Sequence, residues 1–106
     1  MSEITNNNAI EIVKLYAEKL GQKIKINKII LFGSYAKNIQ NKDSDIDIAI
    51  ISSDFSGNID QDFLLAMKIS REIDLRIEPH PFLPQDFQED PFAQEIINHG
   101  IEIKVA

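Results

Sequence analysis

The chain has 106 residues, which is enough for one hydrophobic core and too few for two domains, so we expect a single domain over residues 1–106. Its formal net charge of -6 repels phosphate backbones and anionic membranes, and thereby disfavours bare nucleic acid and membrane surfaces as partners. The absence of cysteine excludes disulfides, thiolate metal sites and thiol nucleophiles. Because the N-terminus lacks a secretion signal and no apolar run is as long as a membrane span, we expect a cytoplasmic protein.

The first third of the chain predicts a helix, a strand and a turn. Apolar residues recur at helical spacing over 9–20, and a glycine follows as a stop. Residues 26–32 are rich in β-branched side chains and predict a strand. The strand ends at Gly33 and Ser34, where a short helix through 35–37 could begin.

The middle of the chain predicts strand, helix and strand. After a polar loop, residues 45–51 predict a second strand whose inner end is apolar on both faces, as in a buried central strand. A Gly-containing connection leads to a helix over 60–71. We expect most of the buried side of that helix to consist of Phe63, Leu64, Met67 and Ile69. Residues 73–77 predict a third strand.

The last quarter predicts an extended proline-rich segment, a helix and a strand. The prolines are expected to prevent regular strand pairing after residue 77; they are Pro79, Pro81 and Pro84. Asp90 and Pro91 predict a helix start, Gly100 predicts its end, and 101–105 predict a final short strand. The alternation indicates an α/β (α+β) fold, a small twisted mixed sheet covered by helices.

Two aspartates mark the start of the second strand. Side chains alternate along a strand, so Asp45 and Asp47 point to the same face, roughly 6.6 Å apart, while the isoleucines between and after them point to the core. Two like charges repel, and a divalent cation would turn that repulsion into attraction. Oxygen ligands with no histidine or thiol beside them suit Mg²⁺, which also accepts substrate phosphates.

The Gly33-Ser34 turn supplies a complementary feature. Backbone N–H groups at a helix start attract an anion, glycine permits close approach of a phosphate, and the Ser34 hydroxyl adds a donor. Each motif alone is common as plain structure: Asp-x-Asp on exposed strands, Gly-Ser in turns. The order and spacing of the two together favour a phosphate and metal site.

These residues, Gly33-Ser34, ten intervening positions and Asp45-Ile46-Asp47, resemble the signature of the DNA polymerase beta nucleotidyltransferase superfamily. In length and layout the chain resembles a minimal nucleotidyltransferase. The resemblance implies that Asp45 and Asp47 hold two Mg²⁺ ions that bridge the triphosphate of a nucleotide, most simply ATP, and that an acceptor hydroxyl displaces pyrophosphate. It also implies a third metal-binding and proton-accepting carboxylate, which we assign to Asp74, with Glu78 as the alternative.

Two positions depart from the family pattern. Tyr35 stands where members often carry Arg, which leaves Lys37 or Lys42 as a contact to the triphosphate unless both are simply solvated. Asn38 stands where members often carry Gly, and asparagine tolerates the left-handed conformation expected there.

The remaining candidates have structural and functional interpretations side by side. His80 is read as an exposed loop histidine, with a substrate contact as the alternative, and His99 as a cation at a helix end. Three aromatic residues flank the proline-rich segment and are expected to close the core, or else to form a partner surface: Phe82, Phe87 and Phe92.

The acceptor is not specified by the residues themselves. Members of this type are often antitoxins of a two-gene module whose toxin is a helical HEPN ribonuclease. The resemblance implies such a partner for this chain, together with binding of the partner and transfer of adenylyl groups to it. Two alternatives stay open: adenylylation of a small molecule such as an aminoglycoside, and a binding module without catalysis. The chain could assemble with a second copy or with a partner.

Overall fold

The computed structural model describes residues 6–41 and 43–104. The elements in chain order are α1 (Asn6–Leu20), β1 (Lys28–Phe32), β2 (Ile46–Ile51), α2 (Ile59–Ile73), β3 (Ile77–Phe82), α3 (Pro84–Glu89), α4 (Ala93–His99) and β4 (Ile101–Ile103). The strands form one sheet in the order β3-β2-β1-β4, in which β2 and β3 run parallel and the other pairs run antiparallel. The predicted mixed sheet covered by helices is confirmed.

One face of the sheet is closed by the two long helices. The isoleucines that alternate with the aspartates of β2 point to this face and are fully buried: Ile46, Ile48 and Ile50. α1 and α2 pack beside each other over them, joined by a hydrogen bond of 2.8 Å that the Tyr16 hydroxyl donates to the carbonyl of Ala66. Burial raises the pKa of this phenol, so the hydroxyl stays protonated.

The opposite face is covered only in part. α3 and α4 pack on a second, smaller cluster centred on Ile30, Ala49 and Ile51. Phe82 and Phe87 belong to this cluster, with ring centroids 5.2 Å apart, whereas Phe92 is 70% exposed. Beyond the cluster, at the start of β2 and β3, the side chains on this face are only partly buried.

The third strand lies further along the chain than predicted. Of the predicted strand 73–77, residues 73–76 are the end of α2 and a turn, and only Ile77 belongs to β3. β3 contains Pro79 and Pro81, which we expected to prevent pairing. The N–H groups of Ile46 and Ser52 donate to the carbonyls of Arg76 and Phe82, respectively. The even-numbered residues of this segment therefore direct their backbone polar groups towards β2. The prolines occupy the alternate positions of this edge strand, where an N–H would point away from β2, so neither removes a ladder bond.

The buried side of α2 also differs from the prediction. Phe63 and Leu64 are 39% and 67% exposed, and the buried residues are Asp62, Ala66, Ile69 and Ser70. The Asp62 carboxylate accepts hydrogen bonds from the N–H and hydroxyl of Ser56 at 2.8 and 2.9 Å, and from the N–H of Gly57 at 3.1 Å. A polar residue occupies an inner position because it holds the loop before the helix.

Smaller differences concern the last third. α3 was not predicted, and α4 begins after Phe92, while the Asp90 carboxylate accepts the N–H of Phe92 in the preceding turn. The final strand ends at Ile103, and Val105 lies outside the described residues. In the parts of the chain that the structure describes, none of the helices has the length and apolarity needed to span a membrane.

Candidate active site

The Gly33-Ser34 segment forms a series of turns over 33–38 and not the short helix that was predicted. The N–H of Lys37 donates to the carbonyl of Gly33 at 3.2 Å, and the N–H of Ile39 donates to that of Ser34 at 3.0 Å. Any anion held here would therefore meet turn amides and the Ser34 hydroxyl, without the dipole of a following helix.

Gly33 is in direct contact with Asp47. β1 and β2 pair so that Phe32 lies opposite Asp47, which places the turn after β1 against the aspartate near the start of β2. A Cβ built on Gly33 would lie 2.5 Å from Asp47 Oδ2, and Gly33 has a positive φ of 74°. The backbone conformation favours glycine at this position, and a Cβ would also displace the Asp47 carboxylate. The structure thus brings together the two motifs that the sequence separates by more than ten residues.

The loop between the motifs keeps the expected backbone conformation. Asn38 has a φ of 58°, as anticipated for an asparagine in place of glycine. Tyr35 is buried. The Lys37 ammonium lies 3.4 Å from Glu95 Oε1, and Lys42 is outside the described residues, so neither predicted phosphate contact is established.

A third carboxylate joins the aspartates from the neighbouring strand. Glu78 is the β3 partner of Asp47 in the parallel register. Its pKa is raised, first by burial, then by a hydrogen bond with Asp45 and by the negative charge of Asp47. Three acidic side chains therefore meet on the open face of the sheet, and the two aspartates make ionisation of Glu78 more costly.

His80 faces the same cluster, contrary to the interpretation as an exposed loop histidine. It lies within β3, two residues after Glu78, and its Nε2 is 3.5 Å from Asp47 Oδ1. The ligand atoms of Asp47, Glu78 and His80 all lie within 4.8 Å of one another. The signal in the sequence is the alternation of Glu78 and His80 on one face, which is why a substrate contact was the alternative interpretation of His80. The magnesium prediction assumed no histidine beside the aspartates, and that premise is wrong.

Asp74 does not lie on the strand where the sequence analysis placed it. It is the C-cap of α2, and its two carboxylate oxygens accept hydrogen bonds from the Arg76 guanidinium at 2.9 and 2.7 Å. These hydrogen bonds hold the pKa of Asp74 below its ordinary value. Glu78, the alternative, is the carboxylate that the structure brings to Asp47.

The acidic cluster lacks a compensating cation from the described part of the chain. Within residues 6–41 and 43–104, no lysine or arginine forms an ion pair with Asp45, Asp47 or Glu78. Hard divalent cations prefer carboxylate oxygens and require several of them to converge. The donor set of this cluster fits such an ion.

Comparison with known proteins concerns the family of this chain. The family model described as polymerase beta, nucleotidyltransferase, matches residues 11–105. A candidate protein adenylyltransferase of Methanocaldococcus jannaschii is 28% identical over 98 residues, which are 89% of this chain and 97% of that protein. The protein adenylyltransferase MntA of Shewanella oneidensis is 35% identical over 71 residues, 67% of this chain but only 48% of MntA.

Solved structures share the fold. A provisional nucleotidyltransferase from Sulfolobus solfataricus superposes with a TM-score of 0.67 at 15% identity, covering 92% of this chain and 80% of that one. A toxin–antitoxin structure containing AMP-PNP superposes with a TM-score of 0.63 at 26% identity, covering 88% of this chain and 73% of that one. Because the family model covers nearly the whole chain, this protein belongs to the polymerase beta nucleotidyltransferase family and is similar to its minimal members.

Proposed function

We propose that this protein transfers an adenylyl group from ATP to an acceptor hydroxyl, with release of pyrophosphate, in a reaction that requires a divalent metal such as Mg²⁺. The observation that carries the proposal is the contact between Gly33 and Asp47, because the turn that we propose to bind phosphate then lies directly against a carboxylate that suits a metal ion. The AMP-PNP present in a structural relative at 26% identity supports ATP as the nucleotide.

The residues divide into two groups by chemistry. Asp45, Asp47 and Glu78 hold the metal, and the N–H groups of the Gly33-Ser34 turn, with the Ser34 hydroxyl, donate to phosphate oxygens. Two bound divalent ions would neutralise the triphosphate and stabilise both the attacking and the leaving oxygen. The chain itself supplies positioning, because the strand register fixes Asp47 against both Gly33 and Glu78.

We assign to Glu78 the third-carboxylate role that the sequence analysis gave to Asp74. Both oxygens of Asp74 accept from Arg76, so binding a metal there would first require that ion pair to break. Glu78 lies beside Asp47 and has a raised pKa, which suits a group that takes the proton of the acceptor hydroxyl.

The acceptor we propose is a hydroxyl side chain on a partner protein, in the cytoplasm. MntA is named a protein adenylyltransferase, and structures of a toxin–antitoxin pair named MntA–HpeT share the fold at up to 27% identity with a TM-score of 0.58. These relatives support an antitoxin that acts on its toxin, which we expect to be a HEPN-type helical protein. Adenylylation of an aminoglycoside is the second candidate and has no support from these names.

The test is label transfer from ATP carrying a radioactive α-phosphate. The chain is produced together with the product of the adjacent reading frame, and with Mg²⁺ we expect label on that partner. Asp47→Asn should abolish the labelling and still unfold cooperatively. Asp60→Asn is the matched control, because it removes the same charge from an exposed position on α2 and should label normally.

Two results would contradict the proposal. Full labelling by Asp47→Asn would show that the acidic cluster is not the site. Binding of the partner without label transfer, together with no stabilisation of the protein by ATP and Mg²⁺, would instead support the non-catalytic binding module.

A further inference from the structure

His80 faces the acidic cluster, and the adenylyl-transfer proposal gives it no role. Its Nε2 is buried and has no hydrogen-bond partner, although it lies 3.5 Å from Asp47 Oδ1. Buried polar atoms without a partner are rare and unfavourable, because they lose their hydrogen bonds to water without replacement. The Nε2 atom therefore faces a carboxylate without a hydrogen bond of its own, and it is available to a bound cation.

The imidazole ring is held in place by its surroundings. His80 stands between Pro79 and Pro81, whose rings fix the backbone on both sides, and it pairs in register with the short side chain of Ala49. The Phe32 ring lies against it, with centroids 5.2 Å apart and planes at 58°. The direction of Nε2 is thus set by strand geometry and packing before any ligand arrives.

The distances suit a shared ion. Ligand atoms about 2.1 Å from an octahedral ion lie roughly 3 to 4 Å from one another. The ligand atoms of Asp47, Glu78 and His80 fall within 4.8 Å of one another, so a contraction of less than an ångström would close the group around one ion. No backbone rearrangement is needed, because the three residues are already neighbours on β2 and β3.

We propose that His80 Nε2 is a ligand of the cation bound by Asp47 and Glu78, and that it makes this position prefer a first-row transition-metal dication over Mg²⁺. The inference rests on the proposed function, since it uses the same two carboxylates. Imidazole favours ions such as Co²⁺ and Zn²⁺, whereas Mg²⁺ prefers oxygen and gives up its water reluctantly. The site still accepts Mg²⁺, through its carboxylates, with lower affinity.

The test uses metal-stripped protein without nucleotide or partner. Dissociation constants of Co²⁺ and Mg²⁺ are measured by calorimetry for the parent, for His80→Gln and for His99→Gln. We expect His80→Gln to weaken Co²⁺ binding by about tenfold or more and to change Mg²⁺ binding far less, so that the preference shrinks. His99→Gln is the matched control, because His99 is exposed at the end of α4 near Glu95, and it should keep the parent ratio.

A second measurement needs no variant. In parent protein loaded with Mn²⁺, pulsed electron spin resonance should detect an imidazole nitrogen bound to the ion, and labelling histidine with ¹⁵N should shift that signal. The inference is overturned if the nitrogen signal is absent, or if His80→Gln folds and keeps the parent ratio of Co²⁺ to Mg²⁺ affinity.

The outcomes separate this inference from the proposed function. If the protein shows a nitrogen ligand and an altered metal preference but labels no partner, the metal-site inference is supported and the proposed transfer reaction is not. If label transfer is normal and no nitrogen ligand is detected, the proposed reaction is supported and His80 is not a metal ligand.

Discussion

Asp74 and Glu78 are four residues apart, and their carboxylates are in opposite electrostatic environments. Asp74 receives two hydrogen bonds from Arg76, which lower its pKa. Glu78 is partly buried beside Asp45 and Asp47, and its pKa is raised. One carboxylate is neutralised by the chain itself, and the other is left among like charges.

This difference distinguishes a carboxylate that is already paired with a cation from one that has acidic neighbours. The Asp74–Arg76 pair closes the end of α2 and needs nothing further. The cluster around Glu78 brings like charges together, and a bound divalent cation would offset their repulsion. A carboxylate that no lysine or arginine pairs with is therefore the better candidate for metal binding.

The largest expected effect is on catalysis, where Asp47→Asn and Asp74→Asn should differ. Loss of a metal ligand should reduce the rate of adenylyl transfer by about a hundredfold or more, because charge stabilisation carries most of such reactions. Asp74→Asn should leave the rate near that of the parent. Initial rates of label transfer at saturating ATP measure both. If Asp74→Asn is the inactive variant, the assignment of the third carboxylate to Glu78 is wrong.

The next effect concerns the contact between the turn and the cluster. Gly33→Ala should lower the free energy of unfolding by about 2 kcal/mol, since a left-handed alanine costs about 1 to 2 kcal/mol and its Cβ would also clash with Asp47 Oδ2. It should weaken ATP binding as well. Urea unfolding and ATP titration measure the two effects.

Gly57→Ala is the control for that variant. Gly57 has a φ of 87°, but a Cβ there would meet only Leu83 Cδ1 at 3.5 Å, which is an ordinary contact. It shares the backbone strain without the clash. Equal losses of stability and of ATP affinity in the two variants would show that the Gly33–Asp47 contact is unimportant.

The sequence predicted the features of the site that depend on local residue order, and it did not predict those that depend on which strands pair. The Gly-Ser turn, the alternation of Asp45 and Asp47, and the left-handed Asn38 follow from spacing and residue type. The position of β3 does not follow from them. Its two prolines are typical of a segment that is not a strand, and they are tolerated here only because β3 lies at the edge of the sheet. With β3 misplaced, Asp74 was expected on a strand, where the structure has the end of α2, and His80 was assigned to a loop.

Glu78→Gln should stabilise the metal-free protein at neutral pH by about 0.2 to 1 kcal/mol, because it removes a charge that faces two others. A carboxyl whose folded pKa is raised contributes stability that is full below its ordinary value of 4.5 and is lost as the pH rises through the folded pKa. The extra stability of Glu78→Gln over the parent should therefore decrease as the pH falls towards 4.5 and below. Urea unfolding after metal removal measures it, and a destabilised variant at neutral pH would refute the repulsion.

Asp74→Asn should show the opposite pH dependence and the smallest effect. A carboxyl whose folded pKa is lowered contributes stability that is present above its ordinary value of 3.8 and is lost as the pH falls through the folded pKa. Because the pair is partly exposed, we expect a loss of about 0.2 to 1 kcal/mol at neutral pH, reduced by salt. Asparagine can still accept the Arg76 N–H, so the turn is preserved and mainly the charge is removed.

The measurement is urea unfolding of the parent, Asp74→Asn and the exposed control Asp86→Asn, at neutral pH and well below 3.8. The parent and Asp74→Asn should differ at neutral pH and converge in acid, while Asp86→Asn follows the parent throughout. A difference that persists unchanged in acid would mean that Asp74 stabilises the end of α2 by geometry alone. The ion pair between Asp74 and Arg76 would then contribute nothing measurable to stability, and the electrostatic difference between Asp74 and Glu78 would be refuted.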